Sequence, residues 1–337
     1  MKIAVVLFNL GGPDAPDAVE PFLFNLFNDP AIIGLPKPLR WVVAKLISKR
    51  RAPVARAIYD EIGGASPLLD WTEKQARALE AELADLGEVK ADIAMRYWNP
   101  MSPETVARVK AWNPDRIVLL PLYPQFSTTT TGSSLKDWAG EAQAQGLNAP
   151  TMTVCCYPDN EGFVEASRDL IEQSLAEVTG GDVRVLFSAH GLPQKVIDGG
   201  DPYQRQVERS VAAIVAALER PGLDFVTCYQ SRVGPLQWIG PSTEEALEQA
   251  ARDGKTVLVY PVAFVSEHSE TLVELDIEYA KLARELGILE YRRVPTVTTH
   301  PAFIAGLAGL VRMAVETPVE FNCAEPGGCP VEGEKNG

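Results

Sequence analysis

Histidine is scarce in this sequence, so the position of each one is informative. The chain contains only His190, His268 and His300. His190 follows the apolar run "VRVLFSA" and precedes Gly191 and Pro193, which predicts a buried strand ending in a histidine on an open loop. A lone histidine is often structural, but at such a position it could also bind a metal or accept a proton.

Four glutamates lie around and after the second histidine at spacings typical of one helical face. In "SEHSETLVELDIEY" they are Glu267, Glu270, Glu274 and Glu278. Such a stripe is ordinarily a solvated helix surface. If the helix begins at the same sheet edge as the His190 loop, imidazole and carboxylates would face each other. That combination suits ferrous iron, cobalt or zinc, and neutral imidazole can accept a proton.

Short apolar strands alternate with helix-like segments along most of the chain. Six runs predict strands: "KIAVVLFN", "KADIAMRY", "DRIVLLPLY", "VRVLFSA", "LDFVTCY" and "KTVLVYPVA". Between them lie segments such as "WTEKQARALEAELADLG" and "YQRQVERSVAAIVAALER", whose apolar residues recur every three or four positions. This alternation predicts an α/β fold with parallel sheets.

The order of the elements repeats in the two halves of the chain. In the first half, the predicted strands end in "NLGGP", "MRYWNP" and "VLLPLYPQFS". In the second half, they end in "FSAHGLP", "CYQSRVGP" and "VLVYPVAFVS". We therefore expect two similar α/β halves, for which 337 residues are sufficient. Ligands in such folds bind at the carboxyl ends of the strands, where these polar exits would gather.

The overall composition argues against several classes of function. Lys plus Arg total 31 against 45 Asp plus Glu, a net charge of −14, so nucleic acid is not an expected partner. The short N-terminal apolar run ends in Gly-Gly-Pro, unlike a signal peptide, and predicts the first strand of a cytoplasmic protein. No run approaches the roughly twenty apolar residues that cross a bilayer, so any membrane contact is expected to be peripheral.

Other motifs are absent or ambiguous. The sequence contains no P-loop, nucleophile elbow, H-E-x-x-H or zinc-finger spacing, and "NLGGPD" lacks the G-x-G-x-x-G spacing of a nucleotide site. Five cysteines without framework spacing leave reduced thiols or a metal centre as alternatives. Residues 35–51 mix apolar and cationic side chains, which fits either an anionic lipid surface or a helix with a solvated basic face.

Taken together, the motifs resemble those of the ferrochelatases, enzymes that insert ferrous iron into a porphyrin. The matching segments occur in order and cover about residues 4 to 280: "NLGGPD", "YDEIGGASPL", "MRYWNP", "LYPQFSTTTTGSS", "FSAHGLP", "DPYQRQV", "CYQSRVGPLQWIGPST" and "PVAFVSEHSETLVELDIEY". The last three are highly specific. The resemblance implies two Rossmann-like domains with parallel sheets flanked by helices and a cleft between them. The expected domains are 1–165 with 312–337, and 166–311.

The resemblance also implies roles for individual residues. His190 and Glu270 would be the catalytic pair, as metal ligands or with His190 as proton acceptor, and Glu267 and Glu274 would continue an acidic path for the metal. The porphyrin would contact a further set of positions: Leu10, Arg96, Tyr97, Tyr123, Ser127, Trp238 and His268. The substrates implied are protoporphyrin IX and ferrous iron, with protohaem as product.

Two further expectations follow from the resemblance. Residues 35–51 fall where the family has an apolar lip over the pocket mouth, which would also touch the inner face of the membrane. Some ferrochelatases carry a [2Fe–2S] cluster, whose candidate ligands here are Cys155, Cys156, Cys323 and Cys329, although the animal cysteine pattern is not met.

Competing interpretations remain at this stage. One is a related chelatase acting with cobalt or on a more carboxylated ring such as coproporphyrin, which the apolar lip disfavours. Another is a tetrapyrrole or metal carrier without catalysis, which would need no acidic stripe opposite His190. The sequence is compatible with a monomer or a homodimer and leaves the metal open among Fe²⁺, Co²⁺ and Zn²⁺.

Overall fold

A five-stranded sheet organises the first part of the chain. The structure is a computed structural model that describes residues 1–232 and 234–317 and the backbone of 321–323. The strands of this sheet are β1 (Lys2–Asn9), β2 (Glu88–Met95), β3 (Arg116–Pro121), β4 (Thr151–Cys156) and β9 (Phe321–Cys323). They pair in parallel in the order β2-β1-β3-β4-β9. β1 is almost completely buried, as expected of a central parallel strand covered on both faces.

A four-stranded sheet organises the second part. Its strands are β5 (Val183–His190), β6 (Asp224–Gln230), β7 (Thr256–Pro261) and β8 (Tyr291–Arg293). They pair in parallel in the order β6-β5-β7-β8. The carboxyl ends of β5 and β6 are adjacent, because His190 lies opposite Gln230 in the register.

Helices connect the strands in both sheets. Those between β1 and β4 are α1 (Val19–Phe27), α2 (Lys37–Asp60), α3 (Leu68–Glu82), α4 (Ser102–Trp112) and α5 (Ser133–Gln145). Those from β4 to the last strand are α6 (Glu161–Ala176), α7 (Gln194–Asp198), α8 (Tyr203–Ala217), α9 (Thr243–Arg252), α10 (Ala280–Glu285) and α11 (Pro301–Glu316). A π-helical turn at Thr128–Gly132 leads into α5, and a longer π-helix at Glu270–Tyr279 leads into α10.

The described residues divide into two units, each with its own apolar core. The first unit is Met1–Cys156 with the residues from Leu307 onward, and the second is Tyr157–Gly306. In the first unit the ring of Phe8 packs edge-on against Trp138, and in the second Phe187 packs against Tyr260. No helix in the described part of the chain combines the length and apolar character needed to cross a bilayer.

The predicted α/β fold with parallel sheets is confirmed, and so are all six predicted strands. β4, β8 and β9 were not predicted. β8 and β9 have only three residues each, and β4 reads "TMTVCC", which is too polar at its start to stand out as a strand.

Candidate active site

The imidazole of His190 stands at the carboxyl end of β5. Its Nδ1 lies 2.7 Å from the carbonyl oxygen of Gly191. Because a carbonyl can only accept, Nδ1 carries a proton and donates it, which leaves Nε2 with a lone pair when the ring is neutral. Nε2 lies 3.9 Å from Oε2 of Glu270. The free lone pair of His190 and the carboxylate of Glu270 therefore face the same small volume.

Gly191 allows an aromatic ring to approach the His190 loop. A Cβ at this position would stand 3.0 Å from the carbonyl oxygen of Gln230 and 3.3 Å from Cε3 of Trp238. Trp238 itself is half-buried, and its indole Nε1 is buried without a hydrogen-bond partner among the described residues. The indole ring of Trp238 therefore lies against the residue that follows His190.

Glu270 begins the π-helix that follows β7. Its backbone amide donates to Nδ1 of His268 at 3.0 Å, and the His268 ring packs edge-on against Phe264. Burial lowers the pKa of the His268 imidazole, although the charges of Glu270 and Glu267 act in the opposite direction. His268 is therefore neutral and holds the first turn of the π-helix through its acceptor nitrogen.

Glu274 lies one turn further along the π-helix and is tightly held. It accepts hydrogen bonds from Nε2 of Gln230 (2.9 Å), from the amide of Ser231 (2.9 Å) and from the hydroxyl of Ser231 (2.5 Å). Tyr279 donates to it as well, at 3.1 Å. Burial, followed by the charge of Glu270, raises the pKa of the Glu274 carboxyl, and the bonds from Ser231 and Gln230 oppose that rise.

Glu267 is a buried ion-pair partner. Its carboxylate accepts from Nη1 of Arg293 at 2.9 and 3.1 Å, from the amide of Thr296 at 3.0 Å and from the hydroxyl of Thr271 at 2.6 Å. Burial acts to raise the pKa of Glu267, but the charge of Arg293 and these hydrogen bonds hold it below its ordinary value. With both oxygens engaged, this geometry differs from the prediction of a metal ligand at Glu267.

Glu270, Glu274 and Glu278 lie on a π-helix with i to i+5 hydrogen bonding and not on the α-helix that their spacing predicted. Glu270 and Glu274 are still one turn apart, and the charge of Glu270 acts on Glu274. Glu267 precedes it and is buried, whereas Glu278 is exposed. Within the described ranges, no three or more His, Cys, Asp or Glu side chains converge as a metal-binding group.

In the first unit, Arg96 and Tyr97 converge on Asp29. The hydroxyls of Tyr97 and Ser133 donate to the carboxylate of Asp29, at 2.7 and 2.5 Å. Nη2 of Arg96 lies 3.0 Å from the same carboxylate. The amide of Ala31 also donates to Asp29, at 2.8 Å. Tyr97 is fully buried, which differs from its predicted position in the porphyrin pocket. Arg96 remains partly exposed beside this network.

The other predicted pocket positions of the first unit differ in environment. Ser127 is buried, and its hydroxyl accepts a hydrogen bond of 3.1 Å from the amide of Thr129. Ser127 therefore caps the π-helical turn. Tyr123 packs against the core around Phe8 and is half-buried. Leu10 is also half-buried, at the carboxyl end of β1. Leu10 and Tyr123 thus retain accessible surface at strand exits, whereas Ser127 does not.

Helix α2 contains most of the apolar and cationic segment 35–51. Its residues Ala44, Ser48 and Ala52 are buried at intervals of four, which defines the side packed on the protein. Five apolar side chains of α2 are largely exposed, namely Leu39 (52%), Trp41 (52%), Val42 (47%), Leu46 (65%) and Val54 (66%). The helix therefore presents an apolar surface flanked by Lys45 and Lys49, both exposed.

The predicted cluster cysteines are only partly described. Cys155 and Cys156 are buried in β4, and Cys156 lies opposite Cys323 of β9 in the strand register. The register shifts between Val154 and Cys156. Cys329 lies outside the described residues.

Three residues central to these networks were not identified from the sequence. Arg293 binds the carboxylate of Glu267. Gln230, together with Ser231, donates to Glu274. Asp29 forms an ion pair with Arg96 and accepts from Tyr97. Gln230 could have been noticed, because it ends a strand next to the one that ends in His190. Arg293 and Asp29 carry no comparable local signal.

Comparison with known proteins identifies close relatives. A family model described as Ferrochelatase matches residues 2–315. A ferrochelatase of Caulobacter vibrioides is 57% identical over 318 residues, which cover 93% of this chain and 90% of the relative. One of Pelagibacter ubique is 50% identical over 314 residues, covering 92% and 91%.

Solved structures share the fold at much lower sequence identity. SirB from Bacillus subtilis with Fe³⁺ superimposes with a TM-score of 0.56 at 14% identity, covering 96% of this chain and all of SirB. The sirohydrochlorin chelatase SirB from Bacillus subtilis subspecies spizizenii, in complex with cobalt, gives 0.54 at 13% identity, covering 94% and 97%. These likenesses concern the fold alone.

Proposed function

The chain belongs to the ferrochelatase family, whose members insert ferrous iron into protoporphyrin in haem synthesis, and we propose that His190 and Glu270 carry out this reaction. The observation that supports this assignment is the 3.9 Å separation between Nε2 of His190 and Oε2 of Glu270. His190 offers the lone pair of an imidazole nitrogen and Glu270 offers a carboxylate. Together they can receive protons and bind a divalent cation.

The chemistry of the substrate explains why both groups are needed. A porphyrin carries two inward-facing N–H protons, which must leave before a metal ion can occupy the ring. His190 accepts one pyrrole proton at Nε2, because Nδ1 already donates to the carbonyl of Gly191, and it releases that proton to solvent before it accepts the second. Glu270 binds Fe²⁺ and releases it into the ring, with the carboxylate taking the place of water ligands. His190 can also contact the metal through the same nitrogen.

Glu274 and Trp238 are assigned supporting roles in the proposal. Glu274 extends the acidic path for iron near Glu270, since its partners Gln230, Ser231 and Tyr279 are uncharged. Glu267 is excluded because the guanidinium of Arg293 neutralises its charge. Trp238 offers the accessible part of its indole ring to the porphyrin. Leu10, Tyr123, Arg96 and His268 remain proposed contacts, while Tyr97 and Ser127 are left out because they are buried.

A turnover assay with Fe²⁺ and protoporphyrin IX tests the assignment. His190→Ala is expected to lower the rate of haem formation by at least about a hundredfold, the typical contribution of a general base. Porphyrin binding, followed by quenching of its fluorescence, is expected to persist. His300→Ala is the matched control, since it removes a histidine of the same unit that faces Asp169. Near-normal turnover in His190→Ala would contradict the proposal.

We also propose that α2 rests on the membrane surface. Four of its exposed apolar residues, Leu39, Trp41, Val42 and Leu46, occur beside cationic residues in a chain whose net charge is −14. An apolar surface with a cationic border is the pattern of a helix that lies in the interface of an anionic bilayer. A vinyl-bearing, sparingly soluble porphyrin partitions into the same layer, so the enzyme would collect it there.

The cysteines support a further proposal, that the chain binds a [2Fe–2S] cluster. The register pairs the backbones of Cys156 and Cys323 on β4 and β9, and thiolates are the usual ligands of such a cluster. Consecutive strand residues ordinarily point to opposite faces, but the register shift at Cys155 relaxes that alternation. Cys155 and Cys329 are the remaining candidate ligands. When bound, the cluster would tie the C-terminal segment to the first sheet.

A further inference from the structure

Gln230 contacts both elements of the proposed catalytic pair. It is completely buried at the end of β6, opposite His190 in the strand register. Its backbone carbonyl accepts from the amide of Gly191 at 2.8 Å, which fixes the residue that follows His190. Its side-chain Nε2 donates to the backbone carbonyl of Glu270 at 3.0 Å and to Oε2 of Glu274 at 2.9 Å. A single residue therefore bridges the His190 loop and the π-helix.

The neighbours of Gln230 determine the orientation of its amide. The carbonyl of Glu270 and the carboxylate of Glu274 only accept, so both require the NH₂ group. The amide oxygen consequently points the other way, where it accepts from the hydroxyl of Ser188 at 2.9 Å. Ser188 is in turn hydrogen bonded to Thr243 at 2.9 Å. Gln230 has one satisfied orientation, and that orientation directs both of its N–H donors at the π-helix.

We propose that Gln230 is a positioning residue, which sets the separation between the imidazole of His190 and the carboxylate of Glu270. The inference deepens the function proposed above and rests on it. Gln230 does not contact the reacting atoms. Gln230, itself completely buried, acts by joining the end of β5 to the start of the π-helix through hydrogen bonds of 2.8 and 3.0 Å. Loss of the amide lets the helix shift relative to His190.

The predicted consequence is a defect in iron handling. Displacing a reacting group by about 1 Å can cost on the order of a hundredfold in rate. Gln230→Met keeps the length and volume of the side chain but removes both donors and the acceptor. We expect kcat/KM for iron to fall by about tenfold or more, with KM for protoporphyrin within about twofold of the wild type.

Thr243→Val is the matched control. It removes a buried hydroxyl from the far end of the same chain of hydrogen bonds and leaves both donations from Gln230 to the π-helix in place. We expect it to lower the denaturant midpoint while kcat/KM for iron stays within about twofold of the wild type. A general loss of stability in this network would instead affect both variants alike.

Glu270→Gln, measured in the same assay, distinguishes a failure of the proposed catalytic pair from a failure of the positioning role of Gln230. If Glu270→Gln is inactive while folded Gln230→Met retains wild-type kcat/KM for iron, the positioning role is wrong and the catalytic pair stands. If Glu270→Gln has normal activity, the catalytic pair itself is wrong. Equal losses in Gln230→Met and Thr243→Val also overturn the positioning role. If Gln230→Met does not fold, Gln230→Asn gives the same test, because its shorter amide cannot reach both Ser188 and the helix.

Discussion

Glu267 is locked against Arg293, and this ion pair gives the residue a structural role. Nη1 of Arg293 lies 2.9 and 3.1 Å from the two oxygens of Glu267, and the other side of the same guanidinium binds Asp276 at 2.6 and 2.8 Å. Arg293 thus joins Glu267, three positions before the π-helix, to Asp276 within it. The side chains of Arg293 and Glu267 are each only 10% exposed.

The ion pair predicts that Glu267→Gln impairs stability more than iron binding. Removing one partner of a buried pair leaves the other charge uncompensated, at a cost of about 3 kcal/mol in the free energy of unfolding. Arg293→Met is expected to cost a similar amount, and the double variant less than the sum, because the two residues stabilise each other. Urea unfolding of the three variants measures this coupling.

The iron kinetics of the folded variants provide the complementary readout. KM for iron in Glu267→Gln is expected to stay within about twofold of the wild type, unlike that of Glu270→Gln. Arg252→Met, in an exposed pair with Glu248, is the control for loss of an arginine and should leave unfolding nearly unchanged. An iron KM raised in Glu267→Gln as much as in Glu270→Gln would restore Glu267 as a metal ligand.

The sequence predicted the positions of the reactive groups better than the contacts that hold them. His190 and Gln230 end strands, and parallel strands end at one edge, so local patterns suffice to predict where such residues lie. The partners that restrain them are distant in sequence. Arg293 is 26 residues from Glu267, and Gln230 is 44 residues from Glu274. No periodicity relates residues on different elements, so these pairs emerge only from the tertiary structure.

The π-helix illustrates a different limit of sequence patterns. The acidic spacing in "SEHSETLVELDIEY" matches an α-helix, and nothing in the composition indicates the wider turn. The first residues of the π-helix make hydrogen bonds that a regular α-helix would not make. Nδ1 of His268 accepts from the amide of Glu270, and Gln230 donates to the carbonyl of Glu270. Tertiary hydrogen bonds here replace those of a regular helix.

Asp29 predicts an acid-sensitive contribution to stability in the first unit. Burial acts to raise its pKa, but hydrogen bonds from Ser133, Ala31 and Tyr97 and the charge of Arg96 hold it below the ordinary value of 3.8. Stabilisation from the ionised carboxylate is therefore complete above about pH 4 and is lost as pH falls through the lower, folded-state pKa. The urea midpoint of the wild type should drop over that range.

Variants of this network test the assignment to Asp29. Asp29→Asn is expected to lower the free energy of unfolding at pH 7 by about 2 kcal/mol, the scale of a hydrogen bond to a charged group, and to flatten the acid-dependent drop. Ser133→Ala removes one donor and should give an intermediate slope. A slope in Asp29→Asn equal to that of the wild type would show that other carboxylates cause the acid sensitivity.

The proposed iron–sulfur cluster predicts visible absorbance in protein purified without porphyrin. Cys156→Ser is expected to abolish that absorbance, because it removes a thiolate next to Cys323. Cys228→Ser is the control. Burial raises the pKa of the Cys228 thiol to about 12, so it stays protonated in the core of the second unit and cannot serve as a ligand. A colourless wild type, prepared anaerobically with normal iron content, would contradict the cluster.

The exposed apolar residues of α2 predict binding to anionic membranes. Leu46 is 65% exposed and Trp41 52%, and burying such a side chain in an apolar layer contributes about 1.5–3 kcal/mol. Leu46→Glu should therefore weaken cosedimentation with phosphatidylserine-containing liposomes by about tenfold or more, since it also adds a repelled charge. Leu289→Glu, at a residue 94% exposed in the second unit, is the matched control and should bind like the wild type. Equal binding by Leu46→Glu and the wild type would exclude α2 as the membrane contact.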